Sequence, residues 1–109
     1  MSKTLYGTVE VELDGETYTL KPTLEAVRAI EAHFGGLRGA SQAINALSVD
    51  GCAVIIAGGA GLKGKAAEAV AEQVWQAGVL EVSVQLNAYL VALYNPRGTA
   101  SGKTKPAAA

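Results

Sequence analysis

Apolar and polar residues alternate on both sides of the Asp14-Gly15 pair near the start of the chain. Asp-Gly is a common two-residue hairpin turn, because both turn positions adopt positive φ angles that these residues tolerate. The turn predicts a β-hairpin with five facing pairs: Val9 with Leu20, Glu10 with Thr19, Val11 with Tyr18, Glu12 with Thr17, and Leu13 with Glu16. This register places most of the apolar side chains on one face, so the turn and the alternation agree.

The alternation gives way to a helical period after Pro22, which has no N–H group and therefore ends the second strand. Thr23 is placed to cap a helix that ends at the Gly35-Gly36 pair. Apolar residues recur at helical spacing along this segment and predict the side that faces the core. They are Leu24, Val27, Ile30 and Phe34.

A weaker helical stripe covers residues 37–47. The apolar run 52–57 fits either a buried strand or a buried helix. We predict a helix with Asp50 as its cap, because the rest of the chain offers no strand partners for this run. Residues 65–77 are rich in strong helix formers, and Trp75 is expected to be half-buried beside the apolar stripe of that helix. The predicted fold is α+β, with an N-terminal β-hairpin followed by a bundle of about four α-helices.

The last predicted helix, from Val79 to about Tyr94, carries two apolar stripes. One stripe consists of Val79, Val82, Leu86, Tyr89 and Leu93, and the other of Leu80, Val84, Asn87, Val91 and Tyr94. A small domain needs only one stripe for its own core, so we predict that the second stripe binds a partner. The predicted partner-binding residues are Leu80, Val84, Val91 and Tyr94. The alternatives are that the domain buries both stripes, or that the inner and outer stripes are exchanged.

Length, composition and charge narrow the class of protein. A chain of 109 residues is long enough for one core, and we predict a single domain over residues 1–95 with a disordered basic tail over residues 96–109. The net charge of −1 gives no overall attraction to nucleic acid, and the tail supports only weak, salt-sensitive contact with DNA. No segment reaches the roughly 20 apolar residues that cross a bilayer, and Cys52 is the only cysteine. We therefore expect a cytoplasmic protein without membrane contact.

The run Gly59–Lys65 matches two phosphate-binding patterns, G-x-G-x-x-G and G-x-x-x-x-G-K. However, Ala66 stands where a P-loop has Ser or Thr, and no aspartate follows Asp50. The chain is also too short around this run for βαβ units. We predict a flexible linker between helices, and a small nucleotide-binding module remains the competing class.

The other candidate chemical groups are isolated in the sequence. His33 is the only histidine, and we expect it to cap or pack at the end of its helix. Cys52 lies within an apolar run, as a small buried hydrophobic residue would. We predict no catalytic residues, no cofactor and no metal.

The segment YTLKPTLEA at residues 18–26, followed by Ile30-Glu31, resembles the small tail proteins of phages and gene-transfer agents. Members of that family are described as tail assembly chaperones or as tail tube proteins. The resemblance covers roughly residues 8 to 94, with a sharp motif at the start and a similar helical pattern beyond it. It implies a chaperone that binds the tape measure and tail tube proteins in the bacterial host and is absent from the mature particle. The alternative that it implies is a structural tail tube or minor tail component, and self-association is compatible with either.

Overall fold

A computed structural model describes residues 8–13 and 15–95 of the chain. Its sheet is an antiparallel hairpin of two strands, β1 (Val9–Leu13) and β2 (Glu16–Leu20). All five predicted pairs are present, so the predicted register is confirmed. Gly15 has a φ angle of +91°, as the predicted turn requires, whereas Asp14 lies outside the described residues.

Five helices follow the hairpin in the described part of the chain. They are α1 (Leu24–Phe34), α2 (Leu37–Asn45), α3 (Val49–Ala60), α4 (Lys65–Ala77) and α5 (Val79–Tyr94). The α+β class and the order of hairpin and helical bundle are confirmed, and the run 52–57 is helical as predicted. The predicted tail over residues 96–109 lies outside the described residues.

Local hydrogen bonds explain where the helices begin and end. The Thr23 hydroxyl accepts a hydrogen bond of 3.0 Å from the Ala26 N–H and caps α1, as predicted. The prediction for α3 was wrong, because Ser48 and not Asp50 is the cap. The Ser48 hydroxyl accepts from the Gly51 N–H at 2.9 Å, and Asp50 lies inside the first turn. At that position its carboxylate interacts favourably with the positive end of the helix dipole.

A single cluster of buried apolar side chains receives residues from both strands and all five helices of the described chain. The hairpin packs against α3, α4 and α5. The largest fully buried side chains are Val11, Leu13, Leu20, Ile30, Ile44, Ile55, Ile56, Val70, Val74, Val82, Leu86 and Tyr89. Because every element contributes to this cluster, changes at the hairpin are coupled to the helices through shared contacts.

Two side chains predicted to pack are exposed instead. Leu24 is 63% exposed, and Ala26 is buried in its place. The side of α1 that carries Ala26 faces α3 closely, because a Cβ atom on Gly58 would lie only 3.1 Å from Ile30 Cγ1. Trp75 is 69% exposed rather than half-buried, since Val70 and Val74 are the fully buried residues of α4.

Gly78 joins α4 to α5 and has a φ angle of +101°, which favours glycine. The chain bends by 118° between the two helices. Among the described residues no single helix is long and apolar enough to cross a membrane. Only this bent pair, taken together, has that length and composition.

Candidate functional site

Helix α5 has an inner and an outer apolar face. Val82, Leu86, Tyr89 and Leu93 are buried in the core. On the opposite side, Leu80 is 64% exposed, Val84 61%, Val91 57% and Tyr94 53%. We call these four exposed residues the α5 stripe. The structure therefore brings the four predicted partner-binding residues together on one outward face.

The α5 stripe is a narrow line along the helix. Its residues are separated by intervals of four, seven and three positions, and the exposed Asn87 lies within the interval of seven. From Leu80 to Tyr94 the helix rises roughly 21 Å, at about 1.5 Å per residue. The stripe carries no charged side chain, and Glu81 is the only charged residue on α5. The face thus offers apolar contact interrupted by one amide.

Hydrogen bonds to other elements hold α5 in its orientation. The Tyr94 hydroxyl hydrogen-bonds the Ser41 hydroxyl and also donates to the Leu37 carbonyl at 3.4 Å, both on α2. The Gln85 side-chain carbonyl accepts from the Glu12 N–H at 3.0 Å, and its amide donates to the Glu12 carbonyl at 3.4 Å. Gln85 thereby pairs with backbone groups at the edge of β1, as a neighbouring strand would. Sequence spacing gave no signal for these long-range bonds.

A second group of bonds joins the hairpin to α3 and α5 at Lys21. The Lys21 N–H donates to the Gly59 carbonyl at 3.1 Å, and the Tyr89 hydroxyl donates to the Lys21 carbonyl at 2.7 Å. A Cβ atom on Gly59 would lie only 2.8 Å from the Tyr89 hydroxyl oxygen, so the ring packs directly on the glycine. Burial raises the pKa of Tyr89 and keeps its hydroxyl protonated as a donor. We call this group the Lys21–Gly59–Tyr89 junction.

The segment that resembles the small tail proteins, residues 18–26, contains several residues with structural roles. The Tyr18 hydroxyl donates to the Gln73 side chain on α4 at 2.5 Å. Leu20 and Ala26 are buried, and Thr23 caps α1. The exposed side chain of Leu24 is the exception. The motif therefore describes how the hairpin is fastened to the helices.

The run Gly59–Lys65 closes a helix rather than following a strand. Its first two residues belong to α3, and the N–H groups of Gly61 and Leu62 donate to the last carbonyls of that helix. The Leu62 bond to the Ala57 carbonyl measures 2.8 Å. This pattern is a Schellman C-cap. A phosphate-binding loop needs such N–H groups free to face the phosphate, so this geometry differs from both nucleotide motifs.

Neither His33 nor Cys52 belongs to a chemical cluster. Cys52 is buried with its Sγ atom 3.6 Å from the Ser83 hydroxyl, and burial raises the pKa of its thiol. His33 lies in the last turn of α1, edge-on to the Phe34 ring, and lines a groove of about 520 Å³ that also contacts Asp50. Among the described residues, no three His, Cys, Asp or Glu side chains are placed to hold a metal ion.

One further large apolar side chain near α5 is exposed outside the α5 stripe. Trp75 is exposed in the last turn of α4, five residues before Leu80, whereas the sequence pattern predicted it to be half-buried. No protein-family model, curated protein or solved structure matches this chain. The candidate site is therefore defined by its own exposure and geometry.

Proposed function

We propose that this protein is a non-enzymatic tail assembly chaperone of a phage, prophage or gene-transfer agent. It binds the tape measure and tail tube proteins during tail morphogenesis. The observation that carries the proposal is the α5 stripe, in which four large apolar side chains are each more than half exposed on one face. Large apolar side chains grouped on one exposed face in this way are typical of protein contact sites. The segment at residues 18–26 supplies the tail-protein class of the partner.

The stripe suits a partner that must be held and then released. Burying the exposed parts of four side chains contributes about 3–6 kcal/mol. Lost translational and rotational freedom offsets several kcal/mol of that gain. The resulting contact is reversible, as a chaperone requires for an unassembled client. The protein acts in the cytoplasm of the bacterial host and leaves its clients before the particle is complete.

The hairpin favours a chaperone over a tail tube component. A tube built from rings needs long strands that pair between subunits, whereas β1 and β2 have five residues each. The Gln85 side chain also occupies backbone groups of β1 at Glu12. Mass spectrometry of purified particles separates the two functions. We expect the protein in lysates and not in particles, and a stoichiometric amount in particles would support the tube component instead.

The α5 stripe is tested by co-expressing the tagged protein with the tape measure and tail tube proteins of the same gene cluster. We expect the wild type to keep the tape measure protein soluble and to co-purify with it. The double variant Val84→Glu/Val91→Glu should lose both effects, because two carboxylates would face the apolar client. The matched control is Ala69→Asp, a new charge at an exposed position of α4. Equal capture by the wild type and the double variant would contradict the proposal.

The competing nucleotide-binding function has its own test. In a nucleotide-binding module of this kind, Lys65 would contact a phosphate of the nucleotide. The nearby N–H groups of Gly61 and Leu62, which would also have to face that phosphate, already donate to carbonyls of α3. We expect no saturable binding of fluorescent ATP or NAD at micromolar concentration. Saturable binding that is lost in Lys65→Ala would favour the nucleotide-binding module.

A further inference from the structure

The exposed face of α5 has nearly the same order of residues in both directions from Asn87. Val84 and Val91 lie three and four residues from it, and Leu80 and Tyr94 each lie seven residues away. The steps along the face are therefore four, three, four and three residues, an average of 3.5. This is the repeat at which two paired helices keep the same faces in contact.

Asn87 lies exposed at the centre of that face. Its side chain makes no hydrogen bond with any other residue in the described part of the chain. A wholly apolar partner would leave both its amide donor and its carbonyl acceptor unpaired. A second asparagine supplies both complementary groups, and a single Asn in an apolar helix seam commonly fixes the register of pairing.

We infer that the α5 stripe binds the α5 stripe of a second copy of this chain, with the two helices antiparallel and the two Asn87 side chains meeting at the two-fold axis. Leu80 of one copy then faces Tyr94 of the other. Antiparallel pairing sets the two helix dipoles in opposite directions. It also separates the two Glu81 carboxylates, which a parallel pair would place side by side. The absence of charge on the stripe lets two copies meet without burying an ion.

The inferred dimer rests on the proposed function only in that both use the α5 stripe. A seam roughly 21 Å long is short compared with a permanent dimer interface. The dimer is therefore reversible, and it covers the apolar stripe while no client is bound. A tail protein that binds the same face competes with the second copy.

The first test measures the oligomeric state by sedimentation velocity between about 5 and about 500 µM protein, a range that covers reversible association. We expect a shift from monomer to dimer across this range. Asn87→Asp places two like charges at the axis and should raise the dissociation constant at least about tenfold, or by about 1.4 kcal/mol. The control Ala69→Asp should match the wild type. A monomer at the highest concentration, or equal dimerisation by Asn87→Asp, would overturn the inference.

The second test determines the orientation by disulfide formation between introduced cysteines. The wild type is the control, because its only cysteine, Cys52, is buried. Asn87→Cys should cross-link with itself. Leu80→Cys should not, because antiparallel pairing separates the two positions by roughly 21 Å along the helix. A mixture of Leu80→Cys with Tyr94→Cys should form the mixed dimer.

Cross-linking of Leu80→Cys with itself would overturn the antiparallel arrangement. If Tyr94→Cys loses the native circular dichroism spectrum, a mixture of Val84→Cys and Val91→Cys takes its place and should also cross-link. A failure of the inferred dimer can be distinguished from a failure of the proposed function. A monomer that still captures the tape measure protein overturns the inferred dimer alone, whereas a cross-linked dimer that captures no tail protein overturns the proposed function alone.

Discussion

The Lys21–Gly59–Tyr89 junction includes one side of α5 through Tyr89, and the α5 stripe lies on the opposite side of that helix. The two regions differ in what their side chains contact. At the junction, Lys21 uses both its N–H and its carbonyl within the protein, and Tyr89 is fully buried. In the stripe, Leu80, Val84 and Val91 are mostly exposed to solvent. One side of α5 holds the fold together, and the other is available for contact.

The difference shows what a short sequence resemblance can indicate. Close packing and hydrogen bonding restrict residue identity, as at Gly59, where any side chain would meet the Tyr89 ring. An apolar contact surface needs only size and hydrophobicity, so many sequences satisfy it. Most of the residues with structural roles in the segment 18–26, such as Leu20, Thr23 and Ala26, belong to the restricted kind. They indicate the fold, whereas the proposed function depends on an exposed surface that carries no sequence motif.

The largest effect on the junction is expected from Gly59→Ala. The added Cβ atom would lie 2.8 Å from the Tyr89 hydroxyl oxygen and would displace the ring from Lys21. We expect the free energy of unfolding to fall by about 2–3 kcal/mol, measured by urea denaturation. Gly58→Ala is the control, because its nearest contact is 3.1 Å and the gain in helix propensity offsets it. Equal midpoints for Gly59→Ala and the wild type would show that the junction does not need glycine.

High pH should destabilise the fold at Tyr89 of the junction and at Cys52 in the core. Burial raises the pKa of Tyr89 above its ordinary 10.0, and burial of Cys52 raises the pKa of its thiol above 9.0, an effect larger than the opposing hydrogen bond from Ser83. Above these ordinary values the unfolded chain loses protons that the folded chain keeps. The stability contributed by the two groups is present below their ordinary pKa values and is lost as the pH rises above them, by at most about 1.4 kcal/mol per pH unit for each group.

This prediction is checked by urea denaturation between about pH 7 and about pH 11, where the unfolded groups change charge. Tyr89→Phe removes the tyrosine part of the loss, so its stability should fall less steeply with pH. The same slope in Tyr89→Phe and the wild type would exclude Tyr89 as a source of the alkaline loss.

A smaller loss is expected at the hairpin turn, which leads into the junction through β2. Gly15 has a φ angle of +91°, where a β-branched residue is strained. We expect Gly15→Val to lower the free energy of unfolding by about 1–2 kcal/mol. An unchanged denaturation midpoint would contradict the assignment of the turn.

The cap of α1 should contribute less again. Thr23→Ala removes the hydroxyl that accepts from the Ala26 N–H, and we expect a loss of about 1 kcal/mol in thermal or urea denaturation. Thr23→Ser keeps an acceptor at the same position and should retain most of the stability. Equal losses in both variants would show that the methyl group and not the cap is responsible.

Sequence reasoning succeeded where two local signals agreed. At the hairpin, the alternation of apolar and polar residues and the Asp14-Gly15 pair both specify one strand register. The structure has the same register. The predicted ranges of the last two helices, residues 65–77 and Val79 to about Tyr94, are also those of α4 and α5. Such features depend on backbone geometry over a few residues, which local sequence determines.

The features that the sequence did not predict depend on contacts between elements that are distant in the chain. A helical period shows which residues share a face but not how closely a neighbour packs, so the close approach of α3 at Gly58 was missed and Leu24 was assigned to the core. The exposure of Trp75 and the bonds of Gln85 to Glu12 likewise follow from tertiary packing. For α5, the helical period identified two apolar stripes but did not show which one faces the core. The burial of the side chains in the structure distinguishes the inner stripe from the outer one.

The smallest effect on stability is expected at the α5 stripe, from Val84→Glu/Val91→Glu. Both side chains are more than half exposed, so their carboxylates would remain in water. We expect each substitution to change the free energy of unfolding by less than about 0.5 kcal/mol. Val82→Glu is the matched control on the same helix, because Val82 is fully buried. A carboxylate there lacks a partner and should unfold the domain, with a cost of several kcal/mol.

Circular dichroism and urea denaturation of these variants decide between the two sides of α5. If the stripe is a contact surface, the double variant stays folded while self-association and capture of the tape measure protein are lost. If the double variant unfolds as Val82→Glu does, the stripe is part of the core. A double variant that stays folded, self-associates and captures the client as the wild type does would show that this face has neither role. In that case the exposed Trp75 and the groove beside His33 become the surfaces to test next.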